Sequence, residues 1–292
     1  MSWFSSPIRE EPAEMEAADW LKSRGEVDGR LCSAPKISNP KIFAEPERRG
    51  TASTRKDEMT TPIQAAIEAA TANQALAVAG HTDMVWGHAS VRDPKGRGIW
   101  MKAAEWGFEE VTVDKIVLVT PDGEVLEGSQ KRHLEYPIHT EIMLANPDIN
   151  AVVHTHAPMA NAFSALGVPL RAISHDGVPF VRPDVPRFTL TGNLIRTREL
   201  GQALAETIGD AVGCLLPAHG LVTVGPDAAT AVMRAVLLER ACKVQLTAMA
   251  AGTLKLWSDD EEVEAKNELV WSASQTHAGY GYLCRHISPE GI

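Results

Sequence analysis

The stretch LEYPIHTEIMLANPDINAVVHTH, residues 134–156, changes period in mid-course, and that change decides the fold class. Ile138, Ile142 and Ala145 recur at helical spacing until Asn146-Pro147 closes the segment. The run that follows, DINAVVHTH, is short, apolar and β-branched, and reads as a buried strand. A helix that feeds directly into a buried strand belongs to an α/β domain. Because strand side chains alternate between faces, His154 and His156 point to the same side at the end of that strand.

The same reading extends outward in both directions. Downstream, APMANAFSALG (157–167) predicts a short helix ended by Gly167, VPLRAISHDG (168–177) a strand, and ELGQALAETIG (199–209) a helix ending at Gly209. CLLPAHGLVTVG (214–225) predicts two strands around a Pro-Ala-His-Gly turn. A long amphipathic helix follows over 227–252, with Val232, Ala235, Leu238 and Cys242 on one stripe. Upstream, KIVLVTPDGEVLEG (115–128) is a hairpin about Pro-Asp-Gly, and GHASVRD and GIWMKA are short strands. In TPIQAAIEAATANQALAVAG (61–80), Thr61 caps a helix, Pro62 suits its first turn, and Ile63, Ile67 and Ala70 mark its apolar face. The expectation is one α/β domain over residues 59–255 with a mixed or antiparallel sheet, preceded by a Pro/Glu/Arg/Ser-rich extension (1–58) and followed by a C-terminal tail (256–292).

With 44% hydrophobic and 23% charged residues, the composition is that of a globular protein able to bury a pocket. A net charge of −10 without a Lys/Arg cluster argues against nucleic acid as partner and favours a small molecule. No apolar run reaches the ~20 residues a membrane span needs, and the acidic N-terminus does not read as a signal peptide, so a cytoplasmic protein is expected. Cys32, Cys214, Cys242 and Cys284 show neither zinc-knuckle nor disulfide-framework spacing and are read as reduced packing residues.

Four side chains stand out as a metal set. His154 and His156 give two imidazoles from one strand end. His219 lies in a turn between two strands, where Gly220 permits close backbone approach, and Glu135 opens the helix that precedes the His-x-His strand. Neutral imidazole plus carboxylate suits a divalent ion of the zinc or manganese type and leaves positions open for substrate.

Through GHASVRD, TPDGEVLEG, LEYPIHTEI, INAVVHTHAPMANAFSALG and PAHGLVTVG, in that order between residues 61 and 250, the chain resembles the class II aldolase/adducin family. That resemblance implies a three-layer αβα fold and one divalent metal per subunit, zinc or manganese, with iron or cobalt as alternatives. It implies that His154, His156 and His219 hold the metal and that Glu135 is a ligand or acid/base. It further implies a homotetramer with active sites at subunit interfaces, where a tail tyrosine, Tyr280 or Tyr282, reaches a neighbour's site. Phosphate-processing members are similar to one another in Gly-Asn-x-Ser, Pro-Ser-Gly and Ser-Ser-Glu segments; this chain instead has Gly87-His88-Ala89-Ser90, Ala103-Ala104-Glu105 and His133-Leu134-Glu135. A phosphate dianion would lose donors and meet the Glu105 carboxylate, so a sugar phosphate is not the expected substrate.

The remaining pattern looks most like the family's decarboxylases of hydroxylated aromatic or pyridine dicarboxylates. His88, Arg92 and Lys102 are the expected carboxylate-binding groups, with His175 and Tyr280 joining Glu135 as catalytic candidates. The expected reaction is loss of carbon dioxide from a non-phosphorylated hydroxy-aromatic carboxylate, leaving a carbanion that spreads onto an oxygen as an enolate beside a divalent charge. The alternatives are retro-aldol cleavage, an Fe(II) oxygenase acting on a hydroxyphenyl acid, and a non-catalytic module like adducin.

Overall fold

A computed structural model describes residues 61–288; the extension expected over 1–58, with Cys32, lies outside the described residues. Seven strands form one sheet: β1 (His88–Arg92), β2 (Ile99–Lys102), β3 (Ile116–Val119), β4 (Val125–Glu127), β5 (Ala151–Thr155), β6 (Gly213–Leu216) and β7 (Gly220–Gly225). Their spatial order is β4-β3-β2-β1-β5-β7-β6, and every pairing is antiparallel, which resolves the choice between a mixed and an antiparallel sheet.

Both faces of the sheet are covered, so its strands are apolar on both sides. On one face Ala89, Val91, Trp100, Leu118, Ala151, Val153, Leu215 and Leu221 pack beneath α1 (Pro62–Val78), α3 (Pro158–Ser164) and α5 (Ala228–Ala251). On the other, Ile99, Met101, Val117, Val152, Cys214, Val222 and Val224 pack beneath α2 (Tyr136–Ala145) and α4 (Arg198–Ile208). This is the three-layer αβα arrangement. A Cβ on Gly201 of α4 would lie 2.6 Å from the Pro137 carbonyl, so the α2/α4 crossing depends on the absence of a side chain there. Among the described residues no helix is long and apolar enough to cross a membrane.

Two local expectations are corrected, and the C-terminal tail gains definition. In α1, capped by Thr61 as expected, Ile63 and Ile67 are exposed; the buried face is Ala65, Ala66, Ala69, Ala72, Asn73 and Leu76, together with Ala70. Small side chains bring this helix close to the sheet, and a periodicity read from the largest residues picked the wrong face. The strand expected over 168–177 is absent: the chain there is irregular and ends in a 3-10 turn, His175–Phe180, lying against α5. The segment after 255 contains two helices, α6 (Asp260–Leu269) and α7 (Ala273–Cys284), and α7 packs on α1 and α5. Cys214 and Cys242 are buried and free, in line with their reading as packing residues.

Candidate metal centre

Antiparallel pairing of β5 with β1 and β7 gathers the chemistry at one end of the sheet. His154 faces His88 across the β1/β5 ladder, and β7 begins immediately after His219. Strand alternation puts His154 on the same face as Val152, beneath α2, so Glu135, at the N-cap of α2, stands over it. Ala218 adopts φ 61° in the tight turn that presents His219. The one-atom side chain of Gly220 then lets β7 meet β5, since a Cβ there would sit 2.3 Å from the Thr155 carbonyl oxygen and 3.0 Å from the His156 Cα.

The four expected ligands come together: one ligand atom from each of Glu135, His154, His156 and His219 lies within 4.8 Å of all the others. The two Nε2 atoms of His154 and His156 are 3.2 Å apart. Glu135 places Oε2 3.8 Å from His154 Nε2 and Oε1 3.5 Å from His219 Nε2.

Around the cluster, other groups fix which nitrogen two of the three rings offer. The Leu221 carbonyl lies 2.9 Å from His154 Nδ1, and Asp83 Oδ2 lies 2.5 Å from His156 Nδ1. A ring that donates from Nδ1 carries its lone pair at Nε2, so both lone pairs face the same point. His219 supplies the sharpest test of fit: both its ring nitrogens are buried and neither has a hydrogen-bond partner in the protein. Such an uncompensated group costs about 1–3 kcal/mol, and a divalent cation satisfies it. Burial holds His154 well below the ordinary imidazole pKa, so it is neutral and able to coordinate. At Glu135 burial works to raise the pKa, but the imidazoles of His219 and His154 and the Ile195 N–H, which donates to Oε1 at 2.7 Å, hold the carboxyl down at about 2. The donor set, one carboxylate and three neutral imidazoles, fits a divalent ion.

Asp83 was not expected from the sequence, where a lone Asp in His81-Thr82-Asp83 carries no diagnostic spacing. Its contact with His156 gives a testable consequence: Asp83→Asn should weaken metal affinity about 10- to 100-fold, measured by competition against a chromophoric chelator. An unchanged affinity would mean that the contact does not orient the ligand.

The other expected site residues fare differently. His88 is buried on the same face as the ligands, its ring centroid 5.1 Å from that of His154. Arg92, expected to bind a substrate carboxylate, lies at the far end of β1, roughly 13 Å along the strand from His88. Its guanidinium is committed to the carbonyls of Met143 (2.7 Å), Asn146 (3.0 Å) and Ile149 (2.6 Å) and to Asn150 Oδ1 (3.0 Å). It closes the C-terminal end of α2 and is structural. Arg92→Ala should therefore lower the free energy of unfolding by about 3 kcal/mol in a urea titration without changing metal stoichiometry in the folded protein.

Lys102 is also corrected. It shares the strand face of Trp100, under α1, and its ammonium donates to the Val85 carbonyl at 2.9 Å and to that of Trp106, above the Phe108 ring. Burial pulls the amine down to about 8, and with no surface of its own it pins two loops. His175 is exposed in the 3-10 turn, its carbonyl accepting from Trp271 Nε1, and does not join the cluster within the chain. Tyr280 packs against the core on the α1/α5 face. One turn earlier in α7, His277 pairs with Asp227 beyond the C-terminal end of β7, opposite to His219. Within one chain Tyr280 is thus not brought to the ligands, and Tyr282 is exposed. The Glu105 carboxylate, expected to face a substrate phosphate, instead pairs with Lys131 at the surface, 3.0 Å away.

The chain belongs to the class II aldolase and adducin family, whose N-terminal domain model matches residues 67–246. It is 33% identical over 173 residues to decarboxylase NovR of Streptomyces niveus, covering 58% of this chain and 64% of that protein. Against the 4-hydroxy-3-prenylphenylpyruvate oxygenase/4-hydroxy-3-prenylbenzoate synthase of Streptomyces roseochromogenus it is 32% identical, covering 58% of this chain and 62% of that one. The alignments thus span a little under two thirds of both proteins. The 3,4-dihydroxyphthalate decarboxylase of Arthrobacter keyseri is 31% identical over 216 residues, 67% of this chain and 83% of the relative. Among solved structures, the L-fuculose 1-phosphate aldolase of Glaciozyma antarctica superposes with a TM-score of 0.69 at 26% identity, covering 77% of this chain and 89% of the aldolase.

Proposed function

We propose that this protein is a divalent-metal-dependent carbon-carbon lyase that decarboxylates a non-phosphorylated, hydroxylated aromatic carboxylate. The observation that carries the reading is the convergence of Glu135, His154, His156 and His219, with both nitrogens of His219 buried and unpartnered. Its direction toward decarboxylation is supported by two relatives named as decarboxylases and by the sequence positions at which His88, His133 and Leu134 replace the small donors that phosphate-processing members carry.

The four ligands would hold a zinc or manganese ion. When bound, the ion supplies a Lewis-acid charge beside the oxygen onto which the electrons of the broken carbon-carbon bond delocalise. Glu135 is ionised at neutral pH and tethered to the Ile195 N–H, so it acts as ligand or base, and the proton that replaces the lost carboxyl on the ring carbon comes from solvent water, directly or by way of Glu135. Asp83 and the Leu221 carbonyl orient two of the imidazoles, and α2 and α4 cover that face of the sheet. Exposed apolar side chains adjoin these residues in the chain, namely Met84 and Trp86 beside Asp83 and His88, Leu134 beside Glu135, and Leu194 beside Ile195. They support a neighbouring subunit seated beside each site; the tetrameric number is proposed from the family resemblance alone.

The test is to incubate the metal-loaded protein with a panel of hydroxylated aromatic acids and follow carbon dioxide release. Stoichiometric gas with loss of one carboxyl supports the reading; an aldehyde product trapped by a coupled reductase would assign an aldolase instead. A second reading, an Fe(II) oxygenase on a hydroxyphenyl acid, is favoured by the relative named as an oxygenase and by the three-histidine set. Oxygen consumption with the iron-loaded protein distinguishes it.

A further inference from the structure

The ligand face of the sheet carries a second group of imidazoles that coordination does not use. Ser90 Oγ lies 2.7 Å from His139 Nδ1, and His139 Nε2 lies 2.6 Å from His88 Nδ1, so both nitrogens of His139 are partnered and His88 is fixed by the chain. The His133 ring sits against the His88 ring, centroid to centroid 4.4 Å and tilted by 54°. Adjacent to it, Arg132 forms a β-bridge with Ala103, which holds the loop carrying His133 beside the end of β2.

His133 differs from the other members of the group in one respect. Its Nε2 is buried and has no hydrogen-bond partner. The Ala103 backbone lies beside the ring, on the side away from this free atom. A hydroxyl both donates and accepts, so it can pair with Nε2 in either tautomer of the neutral ring. A buried ring nitrogen without a partner is costly, and a ligand that brings an O–H to it recovers that cost, whereas an analogue lacking the O–H does not.

We propose that His133 Nε2 pairs with a substrate hydroxyl, so that the site selects aromatic acids with a ring hydroxyl beyond the carboxylate and neighbouring oxygen directed at the metal ligands. The inference rests on the hydroxy-aromatic reading above and narrows it. His133 acts as a specificity residue, with His88 as the wall that orients it. No proton transfer is required of either.

The experiment uses the full-length, metal-loaded protein and direct binding by calorimetry, with salicylate as the reference acid and 2,3-, 2,4- and 2,5-dihydroxybenzoate as probes. At least one dihydroxy isomer should bind about 10-fold or more tightly than salicylate to the unmodified protein. In His133→Leu that preference should vanish while salicylate affinity and metal content stay unchanged, and His133→Gln, which keeps an acceptor, should restore part of it. If salicylate binds but no isomer is preferred, or if the preference survives His133→Leu, the assignment of His133 is overturned while the hydroxy-aromatic reading stands. If no acid in the panel binds the metal-loaded protein, that reading falls and the assignment with it. If His133→Leu does not fold, His133→Phe, which keeps a planar ring without a ring nitrogen, takes its place, and loss or survival of the preference there decides the question.

Discussion

His219→Leu is expected to abolish activity while leaving the metal-free fold more stable than that of the unmodified protein. Nδ1 of the buried His219 ring lacks a partner and Nε2 has only the Glu135 carboxylate 3.5 Å away, outside hydrogen-bond geometry, so in the absence of metal the residue carries a desolvation cost of about 1–3 kcal/mol. Leucine fills a comparable volume without polar atoms. The metal-bound protein should behave oppositely: the unmodified chain gains about 4 kcal/mol from an ion present at about 1,000 times its Kd, and the variant forfeits most of that gain. Loss of the Lewis-acid charge should reduce kcat/KM on the order of 10³-fold or more. Urea titrations with and without metal, beside an activity assay, read all three effects. A variant less stable than the parent in the absence of metal would mean that the His219 nitrogens are satisfied in some other way.

The second large effect is expected at Gly220. A methyl group there would meet the Thr155 carbonyl at 2.3 Å and the His156 Cα at 3.0 Å, both of them backbone that no rotamer change can clear. The strands β5 and β7 would have to separate where His154, His156 and His219 converge. Gly220→Ala should therefore cost about 3 kcal/mol or more in stability and weaken metal affinity together with it. Gly167→Ala is the matched control, since nothing lies within 4 Å of a Cβ built there, and it should be near neutral. Equal unfolding midpoints for the two variants would show that β7 can shift without disturbing the site.

The candidate ligand cluster was legible because each member sits at a place that local pattern reveals. His154 and His156 end a strand that continues an unbroken apolar run, His219 occupies a turn between two such runs, and Glu135 caps a helix with clear periodicity. What sequence could not supply was register and face. Arg92 shares a strand and a face with His88 yet serves the opposite end, because the β1/β5 ladder sets His88, not Arg92, beside His154. Lys102 was recoverable in part: it is two residues from Trp100 and so shares its face, under α1, but which face bears the site depends on α2, whose position is a tertiary fact. In α1 the isoleucines misled because the helix packs through alanines. Asp83 and the Ser90–His139–His88 chain link residues 49 to 73 positions apart, and no spacing rule connects them.

The most direct measurement is metal content per chain, by elemental analysis of the purified protein and by titration of the metal-stripped protein with zinc and manganese. The account predicts one divalent ion per chain, bound in the unmodified protein and lost in a His154→Ala/His219→Ala double variant that retains its secondary structure. A folded parent that binds no divalent ion, or a double variant that binds it as tightly as the parent, would contradict it.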